Sequence, residues 1–225
     1  MENTDGSGQQ TQDSRYVLSA FAHEIRNPLA LVMSSLQMIA QTYPAAASCE
    51  EWADVMENLE YIRELLNELT QYGNAEHIIL KETDVSALLR NAAASVRASL
   101  NYLGIVLDTD IPDDLPALPV DRTKIRQTLL NLLRNAQESI RHSHGRIKLR
   151  ASALPHGVCI SVSDNGCGMT PSQLENIFRP FVSYKPEGTG LGLSVTLRII
   201  EAHGGTLTVR STPGEGTEFQ ILLRG

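Results

Sequence analysis

Cysteine is scarce in this chain: Cys49, Cys159 and Cys167 are the only three in 225 residues. Odd in number and far apart, they form neither a disulfide framework nor a metal-binding set, which suits a reducing cytoplasm. Long apolar runs are missing as well. None approaches the roughly 20 residues that a bilayer-spanning helix needs, and the start carries no secretory signal pattern. A soluble piece is expected, either free in the cytoplasm or the cytoplasmic part of a membrane-anchored protein. There is no basic excess either, with 19 Lys and Arg against 26 Asp and Glu for a net charge of −7. That balance argues against nucleic acid as a partner, because its binders carry a basic face. Residues 1–13 hold almost nothing apolar and are rich in Gln, Ser, Thr and Gly, so a disordered lead-in is expected there. No internal repeat is present. Apolar residues nevertheless make up 42% of the chain, enough for a core.

From Ser14 to about Tyr43 the apolar residues keep a heptad. Ala22, Leu29, Leu36 and Tyr43 fall on one position, and Leu18, Ile25, Val32 and Ile39 fall three residues later. This is the a/d seam of a long helix. After a short stretch from Pro44 a second seam follows, with Trp52, Leu59 and Leu66 alternating with Val55, Ile62 and Leu69. Two seamed helices make a hairpin whose seam stays half covered, so two copies pairing into a four-helix bundle, a homodimer, are expected. Beyond Gly73 the texture changes. Strand-like runs at Ile78–Lys81, Ile105–Asp108, Arg146–Ala151, Val158–Ser163, Thr206–Ser211 and Glu218–Leu223 alternate with helical ones at Val85–Leu103, Arg122–Arg141 and Leu191–His203. The spacing predicts a mixed α/β layer domain, with helical residues 14–75 before it and residues 76–225 composing it.

Four motifs carry chemistry. In His23-Glu24-Ile25-Arg26-Asn27-Pro28 the histidine lies beside the seam, so it should face water, where its imidazole can attack phosphorus near neutral pH. Glu24 could take the proton from the other ring nitrogen, and Pro28 removes a helical hydrogen bond just beyond. A surface histidine with a chance proline is the plainer alternative. A zinc site of His-Glu-x-x-His type fails because Asn27 stands where the second histidine would be. In the second motif, Asn131, Asn135 and Glu138 share one face of a helix whose apolar stripe is Ile125, Leu129, Leu132, Ala136 and Ile140. An amide oxygen such as that of Asn135 is a suitable neutral ligand for Mg²⁺ on a triphosphate, although an amide pair bonding local backbone would look the same.

The third motif, Asp164-Asn165-Gly166-Cys167-Gly168-Met169, follows a strand. Its glycines allow close approach of a ligand, and Asp164 can accept from an exocyclic amine such as that of adenine. An ordinary turn is the alternative. The fourth, Gly188-Thr189-Gly190-Leu191-Gly192-Leu193, opens a helix and offers a phosphate site, yet it is neither the dinucleotide fingerprint nor a P-loop. Between the last two lies Asn176-Ile177-Phe178-Arg179-Pro180-Phe181, and then Lys185. The phenylalanines would anchor a mobile segment, and Arg179 or Lys185 could reach a phosphate.

In this order the series resembles the sensor histidine kinase family from Ser14 to Leu223. His23–Pro28 is similar to its phosphoacceptor box, Asn131–Asn135 to its N box, and Asp164–Gly168 to its first glycine box. Asn176–Phe181 is similar to the phenylalanine box, Gly188–Gly192 to the second glycine box, and Gly214–Thr217 to the last glycine turn. The detailed runs look most like nitrogen-regulation and sporulation-type kinases. The resemblance implies a dimeric helical domain bearing the histidine, then an ATP-binding α/β sandwich shared with some chaperones, topoisomerases and mismatch-repair ATPases. It implies autophosphorylation of His23, transfer to an aspartate of a response regulator receiver domain, and ATP with Mg²⁺ as cofactors. Nucleotide contacts would come from Asn131, Asn135, Asp164, Gly166, Gly168, Lys185, Gly188, Thr189, Gly190, Leu191, Gly192 and Thr217. It also implies reverse dephosphorylation where an acid such as Glu24 is followed three residues later by Asn27. Many relatives place a phosphate-contacting Lys where Glu138 stands, so that role passes here to Lys185 or Arg179. A non-kinase ATPase of the same fold, or a relay module with an inactive site, are the alternatives.

Overall fold

The computed structural model describes residues 6–185 and 188–225, with side chains described from Phe21 onward. The chain divides into two compact units, Met1–Asn74 and Ala75–Gly225. In the first, α1 (Gly6–Thr42) and α2 (Glu50–Gly73) are joined through a tight turn at Ala46–Ser48. Residues 1–5 of the expected lead-in lie outside the described residues, and α1 begins within the rest of it. Its Gln residues are fair helix formers that can extend a helix nucleated downstream. Leu18, expected on the seam, lies outside the described side chains.

The two helices bury only half of the heptad seam. Ala22, Leu29 and Leu66 are buried, with Met33, Leu59 and Leu69 packed against them. Ile25, Val32 and Ile39 are instead 41%, 48% and 42% exposed, as are Val55 and Ile62 at similar levels. One helix can cover only one side of another. The side of α1 turned to α2 therefore runs through Ala22, Arg26, Leu29 and Met33, and the other apolar side stays open.

In the second unit the order is β1 (Lys81–Thr83), α3 (Val85–Tyr102), β2 (Val106–Asp110), β3 (Leu118–Val120), α4 (Arg122–Ser139), β4 (Arg146–Leu154), β5 (Gly157–Asp164), α5 (Pro171–Leu174), α6 (Gly192–Ala202), β6 (Thr206–Thr212) and β7 (Gly216–Arg224). The main sheet runs β2-β4-β5-β7-β6, with β2 parallel to β4 and the other neighbours antiparallel. Period-two alternation sends Ile147, Leu149, Val158, Ile160, Val162, Phe219 and Ile221 into the core, while Lys148, Arg150, Ser161 and Gln220 take the other face. Leu88, Leu89, Ile125, Leu129, Leu132, Leu133, Ile199 and Ile200 supply the helical half of that core. This is a two-layer α/β sandwich.

The strand expected at Ile78–Lys81 starts only at Lys81, because the Ile79 amide donates to Asp121 Oδ2 at 2.9 Å rather than to a ladder. Its partner β3 escapes sequence reading. It is three residues long with Pro119 at its centre, which is tolerated because β1 and β3 form a separate two-stranded pair.

Asp121 also caps α4, accepting from the Thr123 and Lys124 amides at 3.0 and 3.1 Å. Partial burial alone would raise its carboxyl pKa, but the Ile79, Lys124 and Thr123 amides together hold it below the usual range. A depressed carboxyl stabilises the fold above its unfolded pKa and loses that contribution as pH falls through the folded value. Asp121→Ala should cost about 1–2 kcal/mol. Hydrogen-exchange protection of the α4 amides should then fall by about 5- to 30-fold at neutral pH. Unchanged protection would mean that the cap contributes nothing. Among the described residues no helix is long and apolar enough to cross a membrane.

Candidate functional site

In the helical unit His23 and Glu24 stand exposed on α1, and Asn27 is exposed one turn further on. Pro28 lies within α1 and brings no N–H to the carbonyl of Glu24. The ring partner of His23 is not Glu24. Arg26 Nη1 lies 3.0 Å from Nδ1, while Arg26 Nη2 donates to α2, to Thr70 Oγ1 at 2.9 Å, Asn67 Oδ1 at 3.0 Å and the Leu66 carbonyl at 3.4 Å.

In the α/β unit the motifs converge where β5 ends beside the last turns of α4. Asp164 pairs in register with Ile147 and Thr217, which places it at the mouth of the sheet. Its Oδ1 accepts from the Gly166 amide at 2.8 Å and from Ser139 Oγ at 2.9 Å. Burial pushes the Asp164 carboxyl above its usual range, against the opposing pull of the Gly166 amide, the Ser139 hydroxyl, Thr217 and the charge of Lys185. The loop is fastened on both flanks. Asn165 accepts from the Arg146 amide at 2.7 Å and donates to the His144 carbonyl at 2.9 Å, and the Met169 amide donates to Ser211 Oγ at 2.8 Å. Ser211 Oγ also contacts the Gly216 carbonyl and the hydroxyl of buried Thr217, both at 2.8 Å.

Gly168 has a φ of 62°, and a Cβ there would fall 1.9 Å from the Thr212 carbonyl oxygen. The glycine is needed because the protein's own backbone lies against it, whereas the sequence pattern suggested room for a ligand. Gly166 likewise packs on Ser139.

Asn135, one turn before Ser139, accepts through Oδ1 from Lys185 Nζ at 3.1 Å, and the same ammonium is paired with Glu138. A cation already rests on this amide oxygen, so the donor set fits a hard metal ion in chemistry and sign. Asn131 is engaged otherwise. Its Nδ2 donates to Thr196 Oγ1 on α6 at 2.8 Å, and its amide leaves no room for a Cβ at Gly192. Asn131 thus holds the start of α6 against α4.

The glycine loop preceding α6 closes back on the phenylalanine segment. Gly190, with φ 72°, faces the backbone of Phe181 and Val182 and accepts from the Phe181 amide at 3.1 Å. Phe181 itself takes a φ of 63° and is 59% exposed. For a bulky residue this backbone costs roughly 1–2 kcal/mol. Phe178 is half-buried. Gly188 lies against Ser183, and Thr189 Oγ1 accepts from the Leu191 amide at 3.2 Å. Leu191 itself is core. Arg179 is exposed, and Lys185 is the basic residue that meets Asn135.

Sequence reasoning missed Ser139, Thr196 and the contacts of Arg26. Ser139 could have been found as the next polar residue after Asn131 and Asn135 in a row spaced by four on α4. Nothing in the local pattern points to Thr196.

Residues 120–225 match the family model described as histidine kinase-, DNA gyrase B-, and HSP90-like ATPase. The sensor histidine kinase ZraS of Escherichia coli O157:H7 is 36% identical over 209 residues, covering 92% of this chain and 45% of that protein. The chain thus spans about half the length of the curated relatives it matches. Among solved structures, full-length ShkA in complex with AMPPNP superposes with a TM-score of 0.74 at 28% identity, over 92% of this chain and 46% of that one. The catalytic domain of histidine kinase ThkA superposes with a TM-score of 0.57 at 31% identity, over 64% of this chain and 95% of that domain.

Proposed function

The chain belongs to the sensor histidine kinase family, and on that premise we propose that it binds ATP, phosphorylates its own His23 and passes the phosphoryl group to an aspartate of a response regulator receiver domain. The observation that carries this reading is the pairing, within one unit, of a half-buried carboxylate at the end of β5 with a cation-holding amide on α4. Asp164 is held to α4 by Ser139, one turn beyond the Asn135 that meets Lys185.

In this reading Asp164 accepts from the exocyclic amine of adenine, and Thr217 lines the same corner from β7. Lys185, Gly188, Thr189 and Gly190 border the phosphates, with the Leu191 and Gly192 backbone behind them. Asn131 acts by positioning the start of α6. Asn135 would hold Mg²⁺, which supplies charge neutralisation for the triphosphate. A ring nitrogen of His23 forms a bond to the γ-phosphorus while the bond from that phosphorus to the β,γ-bridging oxygen breaks and ADP leaves. Glu24 receives the proton from the other ring nitrogen. The open stripe of Ile25, Val32 and Ile39 supports a second copy of the chain completing a four-helix bundle, because so much exposed apolar surface on one face needs a cover.

The test is to incubate the chain with γ-labelled ATP, then chase the label into the host's receiver domains. Acid-labile label that moves to one receiver is the expected result. Release of free phosphate alone, with none on the protein, would instead make this an ATPase without kinase function. Asn27, exposed one turn from His23, can donate to and accept from one water beside an aspartyl phosphate. Asn27→Ala should keep autophosphorylation and transfer while slowing loss of phosphate from the receiver. Equal loss of both activities would make Asn27 structural.

A further inference from the structure

We propose that Arg26 is a latch: it holds His23 with the proton on Nε2 and the Nδ1 lone pair occupied, so that neither ring nitrogen can take a phosphoryl group, and it ties that state to the packing of α1 against α2. This deepens the assignment of His23 as phosphoacceptor and rests on it.

A guanidinium has donors and no acceptor, so His23 Nδ1, 3.0 Å from Arg26 Nη1, must offer it a lone pair. In the neutral ring the proton then sits on Nε2. A protonated ring nitrogen has its electron pair in the π system and is a poor nucleophile. The lone pair that would serve, on Nδ1, is spent on Arg26. Neither nitrogen is ready.

Attack through Nε2 requires the proton to appear on Nδ1 instead, and an N–H there cannot face the Arg26 donor. The contact must open, and Glu24 is the adjacent acid able to accept from Nδ1–H. The balanced step follows: Nε2 bonds the γ-phosphorus, the bond from that phosphorus to the bridging oxygen breaks as ADP leaves, and the Nδ1 proton passes to Glu24.

The latch is set from α2. Nη2 donates to Thr70 Oγ1, Asn67 Oδ1 and the Leu66 carbonyl, and the planar fork then fixes the direction of Nη1. The Thr70 hydroxyl spends its own proton on the Leu66 carbonyl at 2.8 Å, leaving its lone pairs to receive Arg26. Nε of Arg26 is buried without an acceptor, so the arrangement carries a cost and is held by the terminal nitrogens alone. Any displacement of α1 against α2 that pulls Arg26 from these acceptors frees Nδ1. By reciprocity, the reactive tautomer favours that displaced packing. Arg26 is thus a positioning residue that acts through the ring of His23.

The experiment is long-range proton–nitrogen NMR on the 225-residue chain labelled with ¹⁵N-histidine, with the His23 signals assigned by their loss in His23→Gln. Wild type should show a lone pair on Nδ1 and the proton on Nε2. Arg26→Met keeps the apolar stem but loses every donor. It should bring in the Nδ1–H tautomer and raise the initial rate of autophosphorylation on the order of 10-fold, the factor for losing one charge-assisted hydrogen bond. Arg26→Lys, which restores a donor without the fork, should return part of the ring to Nε2–H. Three outcomes would overturn the latch: an Nδ1–H ring in wild type, an unchanged tautomer ratio in Arg26→Met, or a shifted ratio with slower phosphorylation. Label that persists in His23→Gln would remove the phosphoacceptor assignment instead, and the wild-type spectrum alone keeps the tautomer claim open to refutation if a variant misfolds.

Discussion

His23→Gln is expected to fold, dimerise and bind ATP, yet take up no label from the γ-phosphate. The side chain is exposed, so no core packing is lost with it. Glutamine has an amide oxygen that can accept from Arg26 in place of Nδ1, which preserves the tie to α2. What it lacks is a nucleophilic nitrogen, because the amide lone pair is delocalised into the carbonyl. Without a nucleophile the chemistry has no first step, and the expected loss reaches the background of the assay. Nucleotide binding should be unchanged within error by calorimetry, which separates a missing acceptor from a damaged ATP site. Continued labelling of this variant would refute the central reading.

Asp164→Asn should weaken ATP binding by about 10- to 100-fold, the range for one hydrogen bond to a charged acceptor, and erode the preference for ATP over GTP. Oδ1 of Asp164 is already engaged by Gly166 and Ser139, which fixes how the carboxylate is presented. A carboxylate accepts from the amine of adenine and repels the carbonyl oxygen that guanine carries there, whereas an amide can turn a donor toward that carbonyl. The pH dependence gives an independent readout. Because burial raises the Asp164 carboxyl, its contribution to stability is fully present below the unfolded pKa and is lost as pH rises through the folded value. Nucleotide binding runs the other way. The ionised form is the acceptor, so wild-type affinity is full above the folded pKa and declines as pH falls through it. Asp164→Asn, which cannot ionise, should bind weakly with no such decline. A variant whose affinity and base preference match wild type would remove Asp164 from the adenine site.

Much of this was legible in the chain because helices and strands write their burial into local periodicity. The heptads of α1 and α2, the alternation in β4, β5 and β7 and the glycine-bounded turns all follow from which neighbours three, four or two residues apart share a face. The weaker element, β3, escaped because three residues around Pro119 carry no period. The phase of the seam was ambiguous for a related reason. A heptad marks an apolar side, but which part of it meets α2 depends on how two particular surfaces interlock, and that choice put Arg26 in the contact and left Ile25 outside.

By itself, then, the sequence determined the order of the elements and the kinds of chemistry on offer: an exposed imidazole, a row of amides on α4, a carboxylate at a strand end and a glycine loop before a helix. Only the tertiary structure decided which groups meet. Ser139 and Asp164 are 25 residues apart, Asn135 and Lys185 50 apart, and Arg26 reaches 44 residues along the chain to Thr70. It also decided that Gly168 serves the backbone of Thr212, that Asn131 holds α6, and that His23 rests on Arg26 instead of Glu24. The physical reason is one of range. Backbone periodicity constrains partners within about one helical turn, whereas a hydrogen bond between distant segments exists only after packing has brought its donor and acceptor to about 3 Å.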